Sequence, residues 1–184
     1  MSLMPAWAPN LHPLAVHFPI ALLFAAAAVD LAGLLMPESK PVRDTGTWLY
    51  IAGAATAVFA YFTGHTAAEA AELTAALEAL VDAHADRAFA ATWLFAFFAS
   101  LRLAMSYLFH PRRALRIGAF IVALVGLGAL VQTALHGGRL VFEQGLGVRA
   151  VAVARQAAPE RVEEEPPERT GAASPERRER EEPE

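Results

Sequence analysis

The sequence predicts an all-α integral membrane protein: a four-helix up-down bundle with an amphipathic connector helix and a disordered, charged C-terminal tail. Three observations lead to it. The chain has 184 residues, is 55% apolar and contains no Cys. Four stretches are long enough to cross a hydrocarbon core, which takes about 20 mostly apolar residues. Charge is segregated: residues 1–155 carry a net +1, while residues 156–184 hold five Arg and ten Glu, net −5, together the chain's −4. An Ala-, Leu- and Phe-rich body with a single Lys does not suit a soluble enzyme or a nucleic-acid binder. The absence of Cys excludes disulfides, thiolate metal sites, iron–sulfur ligation by this chain and covalent haem attachment through a C-x-x-C-H motif.

The first span is expected at about 14–36, LAVHFPIALLFAAAAVDLAGLLM. It has no basic leader and no small-residue cleavage site after it, so it reads as a retained span rather than a signal peptide. Pro19 has no N–H to offer the Ala15 carbonyl, so a helix starts or kinks there. The second span covers about 46–64, the third about 88–109 and the fourth about 114–136, with PESKPVRDTG and HPRR as breakers after the first and third. Between the second and third, 66–86 alternates apolar and acidic positions at helical spacing, and reads as an amphipathic connector helix outside the hydrocarbon. Residues 1–155 are thus the membrane domain. Residues 156–184, rich in Pro, Glu and Arg with almost nothing to bury, are the disordered tail.

Lys and Arg near span ends set orientation. Lys40 and Arg43 mark the first short loop, and Arg112, Arg113 and Arg116 the second, whereas the 65–87 connector has five acids against Arg87. Both basic loops are therefore expected on the cytoplasmic side, with both termini outside.

Two charges fall inside apolar runs. Asp30 is six residues from Met36 and Arg102 seven from Phe109. At 1.5 Å per residue both lie about 9–11 Å from the same end, so they are placed to pair.

An up-down bundle also brings His17, His65, His84 and His136, one from each helix, to the outer end, with His12 on the same side and His110 at the other. One such His is usually a hydrogen-bonded interfacial side chain. Four at one depth suggest a ligand site in a bundle. Zinc catalysis would ask for a carboxylate base beside the ligands, as in H-E-x-x-H, and there is none; copper would favour Met or Cys, and Met36 and Met105 lie toward the other end. Two facing imidazoles suffice for b-type haem. Gly137 and Gly138 would let backbone approach a flat ligand, or else cap the helix. Arg139 and Arg87 are the candidate partners of its propionates. Phe18, Phe62, Phe89 and Trp93 sit near this level, as core or interface belt.

The motifs LHPLAVHFPIAL at 11–22 and HGGRLVFEQGLGV at 136–148 resemble a bacterial family of four-span membrane proteins catalogued as domain of unknown function 2231. The similarity covers about 11–150 and leaves out the tail. Thr63-Gly64 and His84 match it less sharply, and His65 is not part of its pattern. The resemblance implies a redox-linked subunit in a bacterial cytoplasmic membrane, among respiratory or other membrane redox subunits and the lipid bilayer. The expectation is therefore a haem b subunit with metal ligands drawn from His17, His136 and His84, the His17–His136 pair preferred. It passes electrons to or from a partner, a soluble cytochrome among the candidates, and is not a stand-alone catalyst. A non-redox assembly subunit with no cofactor or a structural metal is the alternative. A transporter is weaker still, because no repeat or broken midspan helix supports it.

Overall fold

The computed structural model describes residues 10–36, 39–71, 73–108, 112–148, 151 and 153. The tail expected at 156–184 and His110 lie outside the described residues. Five helices follow in order: α1 (His12–Ala15), α2 (His17–Leu35), α3 (Lys40–Glu69), α4 (Ala75–Leu108) and α5 (Arg113–Phe142). No strand occurs among the described residues.

The one-turn helix α1 and α2 are one span interrupted at Val16. The Ala15 carbonyl meets no N–H at Pro19, and the ladder resumes with the Ile20 N–H donating to the Val16 carbonyl at 3.4 Å. Helices α2 to α5 then form a closed ring. Each packs on the next, and α5 returns to α2, which leaves α2 opposite α4 and α3 opposite α5. The connections are short, so neighbours run antiparallel.

The connector differs from the sequence expectation in its continuity. It is helical but not a separate helix. Residues 66–69 finish α3, a turn follows, and 75–86 are the first turns of α4. No Gly or Pro interrupts 75–108, so nothing stops the helix from running on into the apolar segment. Thr74 starts it, its Oγ1 accepting from the Leu77 N–H at 3.4 Å. At 1.5 Å per residue α4 is about 51 Å long, more than a hydrocarbon core of about 30 Å, so its acidic opening projects beyond the apolar slab. There Leu77 and Val81 bury against Leu140 and Leu146. Leu146 reaches them because α5 ends in a turn with Gly145 and Gly147 at φ of 64° and 78°, a region few side chains tolerate.

Three helical stretches are long and apolar enough to cross a membrane: His12–Leu35, Ala75–Leu108 and Arg113–Phe142. The fourth, α3, is as long but less apolar, because its inward stripe is Gly46, Tyr50, Gly53, Ala57 and Ala60. Small residues let neighbours come close where lipid supplies no hydrophobic drive between helices. A Cβ on Gly53 would lie 2.6 Å from Leu23 Cδ2, and one on Gly126 2.8 Å from Leu94 Cδ2. The core between these contacts is Leu23, Ala26, Tyr50, Phe95, Phe98, Ala123 and their neighbours. The outer surface is apolar as well: Phe97 is 72% exposed and Val125 64% exposed, as a lipid-facing surface requires.

Asp30 and Arg102 face each other across the α2–α4 diagonal. Arg102 Nη1 donates to Asp30 Oδ2 at 2.6 Å and Nη2 to Oδ1 at 2.8 Å. The guanidinium carbon lies 5.0 Å from the Tyr50 ring centroid and 5.8 Å from that of Phe98. A Cβ on Gly46 would come within 3.0 Å of Asp30 Oδ1. The pair is thus enclosed by α3 and α4 aromatics.

Asp30→Asn or Arg102→Gln should each cost about 3–5 kcal/mol, since each strands a buried charge, and the double change should recover part of that loss. Thermal melting of the purified variants in detergent measures the cycle; strict additivity would mean the groups are not coupled. Gly53→Val should cost about 1–3 kcal/mol by overpacking against Leu23. Gly118→Ala, where a Cβ meets nothing within 4 Å, should leave the melting temperature unchanged or raise it.

Candidate functional site

The inward positions of each helix recur at intervals of three and four. On α1 and α2 they are Ala15, Pro19, Leu23, Ala26 and Gly33, and on α4 Leu77, Val81, Ala91, Phe95 and Phe98. Extended by the same steps, the first stripe takes in His12 and Asp30, and the second His84 and Arg102. The polar residues that face the interior are therefore two layers on one diagonal. Along α4 the layers are 18 residues apart, about 27 Å. We refer to the histidine end and the basic end.

At the histidine end, His12 Nδ1 is 3.0 Å from the Ala60 carbonyl and 3.3 Å from Thr63 Oγ1 of α3. A carbonyl only accepts, so the neutral ring carries its proton on Nδ1 and its lone pair on Nε2. The ring lies over Gly64, where a Cβ would be 2.8 Å from His12 Cε1. His136 Nδ1 donates to the Gln132 carbonyl at 2.8 Å, which likewise leaves the lone pair on Nε2. His84 projects from α4 onto Gly137 of α5, where a Cβ would be 3.0 Å from His84 Cε1. Its Nδ1 is buried with no hydrogen-bond partner, and the ring also meets the Thr133 carbonyl.

The other sequence candidates lie elsewhere. His17 is exposed on the outside of the bundle. His65 is exposed and 3.3 Å from Glu69 on its own helix. Arg87 donates to its own helix's Ala83 carbonyl, and Arg139 lies 3.9 Å from Glu143; both face outward. Gly137 and Gly138 are within α5 rather than at its cap. Only Gly137 is a close approach, since the nearest atom to a Cβ on Gly138 is 3.9 Å away on Phe142. Phe18, Phe62, Phe89 and Trp93 are exposed by 47–61%, as an interface belt would be.

Sequence reasoning gave His17 the place that His12 occupies. Five residues at 100° each put the two rings about 140° apart on a straight helix, so only one can face inward. The Ala15–Pro19–Leu23–Ala26 stripe, continued one step back, reaches His12 and misses His17. Thr63 and Gly64 of α3 form the surface on which His12 rests.

No group of three or more His, Cys, Asp or Glu among the described residues is placed to hold a single metal ion. The site therefore offers imidazoles from three helices, with Nδ1 of His12 and of His136 turned to a backbone carbonyl and Nδ1 of His84 buried without a partner.

The family model described as predicted membrane protein (DUF2231) matches residues 8–150. No curated protein and no solved structure matches the chain.

Proposed function

The chain belongs to this family of predicted membrane proteins, and from that premise we propose that it is a membrane-embedded subunit that binds b-type haem at its histidine end. The observation that carries the reading is His84 Nδ1, buried without a hydrogen-bond partner, at the same end as His12 and His136, whose Nδ1–H groups turn to backbone carbonyls and leave Nε2 with the lone pair. A buried polar atom without a partner costs stability unless something fills the place. Haem brings four of its own nitrogens and asks the protein for one or two, so it needs no three-residue chelate. Gly137 provides close backbone approach beside His84.

In this reading two of His12, His84 and His136 would hold the haem iron. The carbonyls of Ala60 and Gln132 fix the tautomer and orientation of His12 and His136, as outer partners of metal-bound His commonly do. Bound haem supplies one-electron chemistry; the bundle supplies ligand geometry and excludes water from one side. His17 and His136, the pair preferred on sequence, give way to this set because His17 faces outward. The reading takes the basic loops as cytoplasmic by the positive-inside rule, with the histidine end and both termini on the outer side of a bacterial cytoplasmic membrane. Electron exchange with another membrane subunit or a soluble cytochrome follows from a haem near that surface. A non-redox assembly subunit is the second reading. It is favoured by Arg87 and Arg139, whose contacts within their own helices turn them away from a propionate role.

Reduced-minus-oxidised spectra of the full chain, expressed with ample haem, test this. Wild type should show a sharp alpha band and a shifted Soret band. His84→Ala should lose most of the signal, as should whichever of His12→Ala and His136→Ala removes the second ligand, while His17→Ala and His65→Ala keep it. A wild type without an alpha band would sink the haem reading and leave the assembly role.

A further inference from the structure

The basic end carries a feature that the haem reading does not use. A cavity of about 240 Å³ opens there between all four long helices. Its described lining includes four cations, Lys40, Arg43, Arg102 and Arg116, against two carboxylates, Asp30 and Asp44. Both carboxylates are engaged. Asp30 takes the two-point contact from Arg102, and Asp44 lies 2.5 Å from Lys40 Nζ. The described lining is therefore richer in cations than in carboxylates. Arg116 spends one amino group on the Gly33 carbonyl of α2, which anchors its side chain across the α2–α5 interface. A guanidinium has five donor hydrogens, so most of its donor capacity remains. Arg102 Nε is buried without a hydrogen-bond partner.

The rim has a different character. Trp48 is 59% exposed, Tyr107 77% and Leu115 46%, all three lining the cavity. Aromatic and aliphatic groups around a cationic pocket, at the end of an apolar bundle, match a molecule that is anionic at its head and apolar behind it. A free anion would have no use for that rim. Arginine recognises phosphate through paired, charge-assisted hydrogen bonds, and basic pockets between membrane helices on the cytoplasmic side hold acidic headgroups.

We propose that this cavity is a binding site for the phosphate headgroup of an anionic phospholipid, held chiefly by Arg116 with the acyl chains lying past Trp48, Tyr107 and Leu115. The Asp30–Arg102 pair forms the floor of the site. The site is separate from the histidine end and stands whether or not haem binds.

The test uses the delipidated full chain in detergent, with phosphatidylglycerol, phosphatidylcholine or inorganic phosphate added, and reads melting temperature together with bound lipid by native mass spectrometry. Phosphatidylglycerol at about 100 times its Kd should raise the wild-type melting temperature by roughly 5 °C. Phosphatidylcholine should not, and one phosphatidylglycerol should survive in the spectrum. Arg116→Gln should lose most of the shift and Arg116→Lys should keep part of it. Arg113→Gln, at an exposed residue outside the cavity, should keep all of it. Equal shifts with both lipids, or equal losses in Arg116→Gln and Arg113→Gln, would overturn the site. An equal shift with inorganic phosphate alone would overturn its assignment to lipid. Should Arg116→Gln not fold, a wild-type spectrum retaining neither lipid, or both alike, overturns the proposal by itself.

Discussion

The two-point contact between Asp30 and Arg102 is the constraint on which the bundle's register depends. A lone charge at membrane depth costs about 2.5–3.5 kcal/mol even on the mildest scales. The pair lies on opposite helices of the ring, so satisfying it sets the relative height and rotation of α2 and α4 together. Neighbouring helices conform to it. Gly46 on α3 leaves room for the carboxylate, and Tyr50 on α3 and Phe98 on α4 lie against the guanidinium. Moving α2 by one residue along its axis would shift Asp30 by about 1.5 Å and turn it by about 100°, which breaks both hydrogen bonds.

The packing between the two polar layers relies on size rather than on hydrophobic drive. Lipid tails are as apolar as the core, so burying Leu23 or Phe95 gains little over leaving either against lipid. Close approach gains more, through dispersion, and it needs Gly53 beneath Leu23 and Gly126 beneath Phe95. The same device recurs at the histidine end, where Gly64 and Gly137 each leave space for an imidazole. Glycine therefore has two roles here: bringing helices together at mid-depth and seating rings at the surface.

Depth was legible in the sequence, because it is linear in residue number. Counting 1.5 Å steps brings Asp30 and Arg102 to one level and gathers five His at one end. Direction around the helix was less legible. It repeats every 3.6 residues, and a break such as the one at Val16 interrupts the ladder that carries it. That is why His17, in the most distinctive part of the opening motif, seemed the better ligand, while His12 is the ring that packs on α3. The connector was legible as helix from its apolar spacing. Its fusion with the third span was not, because an amphipathic segment and an apolar one obey different patterns even where a single backbone ladder runs through both.

Composition and local pattern alone therefore determined a membrane-embedded helical bundle, the approximate spans and the depth of every polar residue, since each follows from residue type and rise per residue. Tertiary structure decided which residues face inward: His12 rather than His17, Gly137 rather than Gly138, and Arg102 and Arg116 toward the interior while Arg87 and Arg139 face outward. Those choices depend on which helices are neighbours in the ring and how far each is rotated about its axis. That rotation is selected by simultaneous contacts among four helices, a condition no single segment of sequence contains.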